Sequence, residues 1–267
     1  MDPPVSQASR SGEPAGEDRK RAEPIDLAVV IPAYDEEARI GPTVSRIRDY
    51  LEHRALEWQI VVADDGSRDR TVAVVEDVAA GSPRIRIVGL GRNRGKGAAV
   101  RAGMLAAIAG GARRVLMSDA DLATPIEELA KLERELDGGA DIAIGSRALA
   151  SSEVAVKQHP AREMMGRTFN VLVRALVMNG IKDTQCGFKL FTAASARDLF
   201  ARARIDGFAF DVEILWLARA RYRIVEVPVV WRHVEQSKVS PGRDAMRMLV
   251  DILRLRRLHR RGNARRT

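Results

Sequence analysis

Four apolar runs, each closed by a polar or glycine-containing turn and three of them followed by a helix-forming stretch, constrain this chain more than any other feature. Leu27-Ala28-Val29-Val30-Ile31 stops at Pro32, and Gln59-Ile60-Val61-Val62-Ala63 stops at Asp64-Asp65-Gly66-Ser67. Residues 84–90 and 114–118 repeat the pattern, the second running into Asp119-Ala120-Asp121. A run that is apolar at successive positions, rather than at alternate ones, belongs to a strand covered on both faces, as in a parallel sheet. After the first run Val44, Ile47 and Leu51 have helical spacing over 43–51, after the second Val74, Val75 and Val78 do so over 70–80, and after the third comes an alanine-rich stretch at 96–109. Strand and helix in alternation predict an α/β fold with one mostly parallel sheet flanked by helices.

The second half is less regular. It predicts a strand at 141–144, a basic loop, a helix near 166–177, a helix near 211–220 and a strand at 224–230 that ends at Trp231. With 267 residues and 46% apolar content, the chain can bury one sizeable core, here placed over 25–242. Residues 1–24 lack aromatic and periodic apolar positions, so they cannot offset their ordering entropy and are expected to be disordered.

Charge and cysteine usage narrow the setting. The net charge is +8, and residues 243–267 carry nine arginines against Asp244 and Asp251, so this basic tail holds most of it. Met246, Leu249, Val250 and Leu253 follow helical spacing there, which suits either an interfacial helix that meets anionic lipid or packing on the core. No stretch approaches the ~18 to 20 uncharged residues that span a bilayer, and no apolar leader precedes the first strand. The expectation is a cytoplasmic protein with no transmembrane segment. Cys186, the sole cysteine, has no activating neighbour in Thr184-Gln185-Cys186-Gly187-Phe188 and reads as a small buried hydrophobe. Aromatic residues make up only 4%, and no nucleic-acid motif is present, so nucleic acid is not an expected partner; a module that uses the basic tail on nucleic acid is the remote alternative.

Ligands of open α/β sheets gather at the carboxyl ends of the strands. Three loops fall there. Asp119-Ala120-Asp121 places two carboxylates where they can hold one Mg²⁺ or Mn²⁺, and a hard cation held by one or two carboxylates completes its shell with phosphate oxygens and water. A nucleoside diphosphate is the natural partner. Asp64 and Asp65 can accept from a base N–H or ribose hydroxyls, while Pro32, Ala33 and Tyr34 offer backbone groups and an aromatic edge. Arg92-Asn93-Arg94-Gly95-Lys96-Gly97 precedes a helix, so its amides and cations suit a diphosphate. The glycines there follow G-x-G-x-x-x-G after a third strand, which does not fit a dinucleotide fingerprint.

These pieces, in order, are Val30-Ile31-Pro32-Ala33-Tyr34-Asp35-Glu36-Glu37, Asp64-Asp65-Gly66-Ser67, Asn93-Arg94-Gly95-Lys96-Gly97, Asp119-Ala120-Asp121, Gly145-Ser146-Arg147, Asp183-Thr184-Gln185-Cys186-Gly187-Phe188-Lys189 and Phe210-Asp211-Val212-Glu213. Over roughly 27–256 they resemble the family 2 inverting glycosyltransferases of the GT-A fold, nearest the dolichyl-phosphate β-glucosyltransferases and bacterial polyprenyl-phosphate relatives. The resemblance implies transfer of a hexose, glucose first, from a nucleoside-diphosphate sugar, UDP-glucose first, to a polyprenyl phosphate. It divides the domain into a nucleotide half, 25–145, and an acceptor half, 146–242, with peripheral contact on the cytoplasmic face of a membrane. It assigns Pro32, Tyr34, Glu36, Asp64 and Asp65 to the nucleoside, and Asp121 assisted by Asp119 to the metal. It also places Arg147, Arg162, Arg167 and Lys189 near the acceptor phosphate, with Lys238 in a Ser-Lys element that closes over the site. Asp211 matches an acidic motif position that orients the donor sugar or caps its helix.

Two departures stand out. Asp35 replaces the family's usual Asn, and Ala123 stands where mannosyl-phosphate relatives carry a metal-binding Gln. Use of GDP-mannose or a UDP-N-acetylhexosamine, and a soluble transferase with a small acceptor, are the alternatives.

Overall fold

The structure is a computed structural model and describes residues 24–154, 180–232 and 243–263. The expected tail at 1–24, apart from its last residue, lies outside the described residues, as do the expected helix at 166–177 and Arg162, Arg167 and Lys238.

In chain order the first half contains β1 (Leu27–Ala33), α1 (Ile40–Glu52), β2 (Trp58–Asp64), α2 (Thr71–Ala79), β3 (Ile85–Gly89), α3 (Lys96–Ala109), β4 (Arg114–Met117), α4 (Leu129–Asp137) and β5 (Ile142–Ser146). There follow β6 (Glu153–Val154), β7 (Lys189–Thr192), α5 (Ala193–Arg202), α6 (Phe210–Ala218), β8 (Ile224–Pro228), β9 (Val230–Trp231) and α7 (Arg243–Asn263). Seven strands form one sheet in the order β3-β2-β1-β4-β7-β5-β8, and β6 pairs with β9 in a small second sheet. Every neighbour pair in the large sheet is parallel except the two made by β7, which runs antiparallel between β4 and β5.

Both faces of the sheet are covered, which is why β1 and β2 are buried at every position. On one face Val44, Ile47 and Leu51 of α1, Val75 of α2 and Leu129, Leu132 and Leu136 of α4 pack with Val29 and Ile31. On the other Val100 and Met104 of α3, Leu199 and Phe200 of α5 and Leu215 of α6 pack with Val30 and Met117. The small residues of α3 bring its axis close to the strands. A Cβ on Gly103 would stand 2.5 Å from Val30 Cγ1, so a side chain there would force the helix off the sheet.

Besides the short strand β6, α4, β7 and α5 lie beyond the elements expected from the sequence. α4 carries its leucines at helical spacing. β7 holds Lys189 at a position only 1% exposed, where a lysine argues against a central strand until its buried partner is known. α5 begins at Thr192, whose hydroxyl accepts from the Ser195 amide and satisfies one of the unpaired donors of the first turn. The predicted strand at 224–230 is broken after Pro228 into β8 and β9.

The segment set apart as a basic tail packs on the domain as α7. Met248, Ile252 and Leu255 are buried in the same core as α6, whereas Met246 and Leu253 are 62% and 59% exposed. The apolar stripe anticipated at 246, 249, 250 and 253 is therefore not the one that fills the core. Packing uses a second stripe on the opposite face of the helix.

Candidate active site

The loops after β1, β2 and β4 meet at the carboxyl end of the sheet, together with the loop leading from β3 into α3. Their backbones are laced to one another. Asp65, 3% exposed, accepts 2.8 Å hydrogen bonds from the amides of Arg94 and Gly95, and its own amide donates to Ala33 O. Asp64 accepts from the Gly66 and Ser67 amides and closes the turn after β2. Gly66 has φ 75°, and a Cβ on it would meet the Arg92 backbone at 2.5 Å. A left-handed glycine is thus what lets the turn after β2 touch the loop after β3.

The loop after β1 is tied in the same way. The Asp35 amide donates to Ser67 Oγ and its carboxylate accepts from the Arg68 amide, while the Glu36 amide donates to Thr71 Oγ1. Asp35 has φ 50°, a left-handed conformation that Asn and Asp tolerate better than other side chains. The Asp-for-Asn departure is conservative for that reason. Glu36 turns its carboxylate onto the Arg39 guanidinium. Hence Pro32, Ala33, Tyr34, Glu36, Asp64 and Asp65 are brought to one edge of the sheet. The carboxylates of Asp64 and Asp65 spend hydrogen bonds on backbone amides, which fixes the loops in place; burial pushes the Asp65 carboxyl above the ordinary range despite those amides.

Asp119 and Asp121 follow β4. The Ala123 amide donates to Asp121 Oδ1 at 3.0 Å and fixes that side chain, with Leu122 at φ 47° between them. Burial, then the neighbouring Asp119, raises the Asp121 carboxyl. At Asp119 burial works in the same direction, but Lys96, Lys189 and Arg147 together outweigh it and hold the group below the ordinary carboxylate range. Lys96 Nζ stands 2.6 Å from Asp119 Oδ1, a close ion pair at the end of β4. Burial opposes the charge on Lys96, yet Asp119, Asp211 and Asp121 raise its pKa well above the usual lysine value. The sequence placed Lys96 at a diphosphate; the fold places its ammonium among the three carboxylates.

Gly187 was not singled out by sequence reasoning. It lies beside Asp119 in the antiparallel register that pairs Met117 with Lys189. A Cβ on Gly187 would lie 1.9 Å from Asp119 Oδ2, so the missing side chain is the notch that holds the carboxylate.

Beneath the notch, Lys189 Nζ contacts Asp211 Oδ1 and Cys186 O, each at 2.5 Å, with Lys189 1% and Asp211 5% exposed. This corrects the expectation that Lys189 grips an acceptor phosphate. Its ammonium is spent inside the protein, and removing either partner would leave the other buried without compensation. The nonpolar reading of Cys186 is consistent with its 3% exposure and with a thiol pushed up by burial.

Arg147 is held side-on. Its Nε donates to Asp183 Oδ2 at 2.7 Å and Nη2 to Oδ1 at 2.9 Å, the backbone amide also donates to Asp183, and Cζ lies 5.5 Å from the centre of the Trp231 ring. Asp183 is itself located by Glu226, which accepts from the amides of Lys182 and Asp183. The guanidinium therefore has one edge on Asp183 and keeps its Nη1–Nη2 edge as a second place for a two-point contact. Asp183 and Trp231 as holders of Arg147 were missed, because only the fold brings 183 and 231 beside 147.

The chain matches the sequence profile described as Glycosyl transferase family 2 over residues 28–200, which takes in every element from β1 to α5. It belongs to glycosyl transferase family 2. Relatives of this glycosyltransferase include a dolichyl-phosphate β-glucosyltransferase of Trichomonas vaginalis, 38% identical over 85% of this chain and 69% of the relative. The human protein of that description is 36% identical over 86% of this chain and 74% of its own, and that of Saccharomyces cerevisiae 36% over 88% and 75%. Among solved structures, mannosyl-3-phosphoglycerate synthase from Rubrobacter xylanophilus superposes with a TM-score of 0.65 at 18% identity, covering 91% of this chain and 77% of that one. Glucosyl-3-phosphoglycerate synthase from Mycobacterium tuberculosis, in complex with Mn²⁺ and UDP-glucose, gives 0.63 at 18%, covering 87% and 79%. At that identity these structures speak to the fold, which is the GT-A type expected from the sequence.

Proposed function

We propose that this glycosyltransferase moves glucose from UDP-glucose, with inversion, to a polyprenyl phosphate of the dolichyl type. The observation that carries the reading is the 36–38% identity with dolichyl-phosphate β-glucosyltransferases over 85–88% of the chain. The phosphoglycerate synthases resemble it only at 18–19%, so their small acceptor weighs less than the lipid acceptor.

Asp119 and Asp121 fit a hard divalent cation such as Mg²⁺ or Mn²⁺. They offer oxygen donors on one loop after β4, and Gly187 leaves room for the Asp119 carboxylate. Among the described residues no group of three or more His, Cys, Asp or Glu side chains is arranged to hold a metal ion by itself, which suits an ion held by one or two carboxylates and the substrate's phosphates. Such an ion, when bound, neutralises charge on the leaving diphosphate. Lys96 adds a second positive charge at the same oxygens, and the loops tied by Asp64 and Asp65 hold the nucleoside end.

An alcohol acceptor needs a base to remove its proton. A phosphate monoester, with a second pKa near ~6, is already mostly dianionic at neutral pH. Its oxygen attacks the anomeric carbon as the bond to the diphosphate breaks. What the protein must supply is a cation for the acceptor, and the outer edge of Arg147 suits a phosphate at two points. Arg162, Arg167 and Lys238 remain candidates for the same task. Arg147→Ala is expected to raise KM for the acceptor roughly tenfold while UDP-glucose affinity stays within twofold, the scale of one charge-assisted contact; initial-rate kinetics with each substrate varied would check this.

No helix among the described residues is long and apolar enough to cross a membrane. The reading places the enzyme peripherally on the cytoplasmic face, and the exposed Met246 and Leu253 of α7, with exposed Arg247, Arg254 and Arg257, support docking on anionic lipid. Flotation with vesicles rich in anionic lipid should carry the protein up at low salt and release most of it at ~1 M, where the screening length is about 3 Å. The function itself is tested by offering purified enzyme a panel of UDP- and GDP-sugars with a short polyprenyl phosphate. Label from UDP-glucose is expected in the organic phase; exclusive use of another donor would overturn the sugar assignment.

A further inference from the structure

Glu213 lies on α6 two residues beyond Asp211 and is fully buried, 0% exposed. Its carboxylate accepts from the Arg204 amide at 3.0 Å to each oxygen, from the Ile205 amide at 2.8 Å, and from His259 Nε2 at 2.6 Å. His259 belongs to α7, and its ring lies 5.5 Å from that of Trp216, centre to centre. Arg204 Nη1 donates to Leu258 O at 2.9 Å, a second tie between the same two parts. A buried carboxylate with four such contacts fixes whatever it touches.

What it touches is the turn on which the loop after β3 rests. The Ala98 amide donates to Asp206 O at 3.2 Å, and the Asp206 carboxylate pairs with Arg101 and, at 3.6 Å, with Arg94. A Cβ on Gly95 would sit 2.4 Å from Asp206 O, and one on Gly97 2.5 Å from Ile205 O. The first turn of α3 therefore lies directly on residues 205 and 206, with Lys96 between the two glycines reaching Asp119. Contacts run without a gap from α7 through Glu213 and the 204–206 turn to Lys96.

We propose that His259 and Glu213 are positioning residues for the donor diphosphate, and that α7 is part of the donor site. This rests on the reading that residues 92–97 serve a nucleotide diphosphate. With the His259 contact in place, the amides of 204 and 205 are held, the seat under Gly95 and Gly97 is rigid, and Lys96 is presented at the diphosphate end of the site. Without it, Glu213 is left buried with fewer donors and the seat loosens.

The test uses the full chain and isothermal titration with UDP in the presence of Mn²⁺, together with donor and acceptor kinetics. His259→Ala is expected to weaken UDP binding and raise KM for the donor by the same factor, roughly tenfold, within the range carried by a packed network. Acceptor KM should not move. His259→Gln, whose amide N–H can donate to Glu213, should recover most of the loss. If His259→Ala folds poorly, His259→Phe keeps the ring against Trp216 and removes only the donor, and the same loss is expected. UDP affinity within twofold of wild type in these variants, with only the melting temperature lowered, would overturn the proposal alone. Failure of the wild type to bind UDP would overturn the nucleotide reading and this proposal together.

Discussion

Asp121→Asn is expected to lower kcat by about 10³-fold, the order of several kcal/mol of charge stabilisation lost at the leaving group. The substitution keeps shape and the hydrogen bond to the Ala123 amide, since an amide oxygen can accept in place of Oδ1. It removes one negative charge from a site where Asp121 already stands against Asp119 and is raised by burial and by that neighbour. The fold therefore has no reason to weaken, and relief of that repulsion is expected to leave the melting temperature unchanged or slightly higher. Calorimetry beside the rate assay separates the two effects. Turnover near wild type in saturating Mn²⁺ would mean that Asp121 holds no ion.

Gly187→Ala is expected to cost roughly 10²-fold in rate with little loss of stability, because misplacing a group of the reaction centre by about 1 Å has that scale. The backbone at 187 is not in the left-handed region, so alanine meets no conformational barrier there. The added Cβ instead lies 1.9 Å from Asp119 Oδ2 and 2.4 Å from its Cγ. The carboxylate is the movable partner. It must rotate away, and with it goes the contact to Lys96 and the oxygen offered to an ion. Manganese binding followed by electron paramagnetic resonance should report the same loss without turnover. A Gly187→Ala enzyme with wild-type metal affinity and rate would show that Asp119 needs no notch.

Much of the first half was legible because each of its features is local. Apolar runs, turn residues and helical spacing gave β1, α1, β2, α2, β3, α3 and β4 within a few residues, and the acidic loops fell at one end of the sheet because parallel strands must end together. The second half obeys longer-range causes. Lys189 reads as a surface cation until Asp211, 22 residues on, is seen beside it. Gly187 reads as one more loop glycine until Asp119 occupies its missing side chain. Arg147 was legible as a cation but not as one whose inner edge is already taken by Asp183. On α7, both stripes are apolar in sequence, and only the position of α6 decides which one is buried.

In the proposed reaction a phosphate on a lipid receives the sugar. This is tested most directly by giving the enzyme labelled UDP-glucose with equal concentrations of a short polyprenyl phosphate and 3-phosphoglycerate in one vessel. The expected result is label in the organic phase, absent when divalent ions are chelated and restored by Mn²⁺. Label confined to phosphoglycerate, or lipid labelling that persists undiminished under chelation, would contradict it.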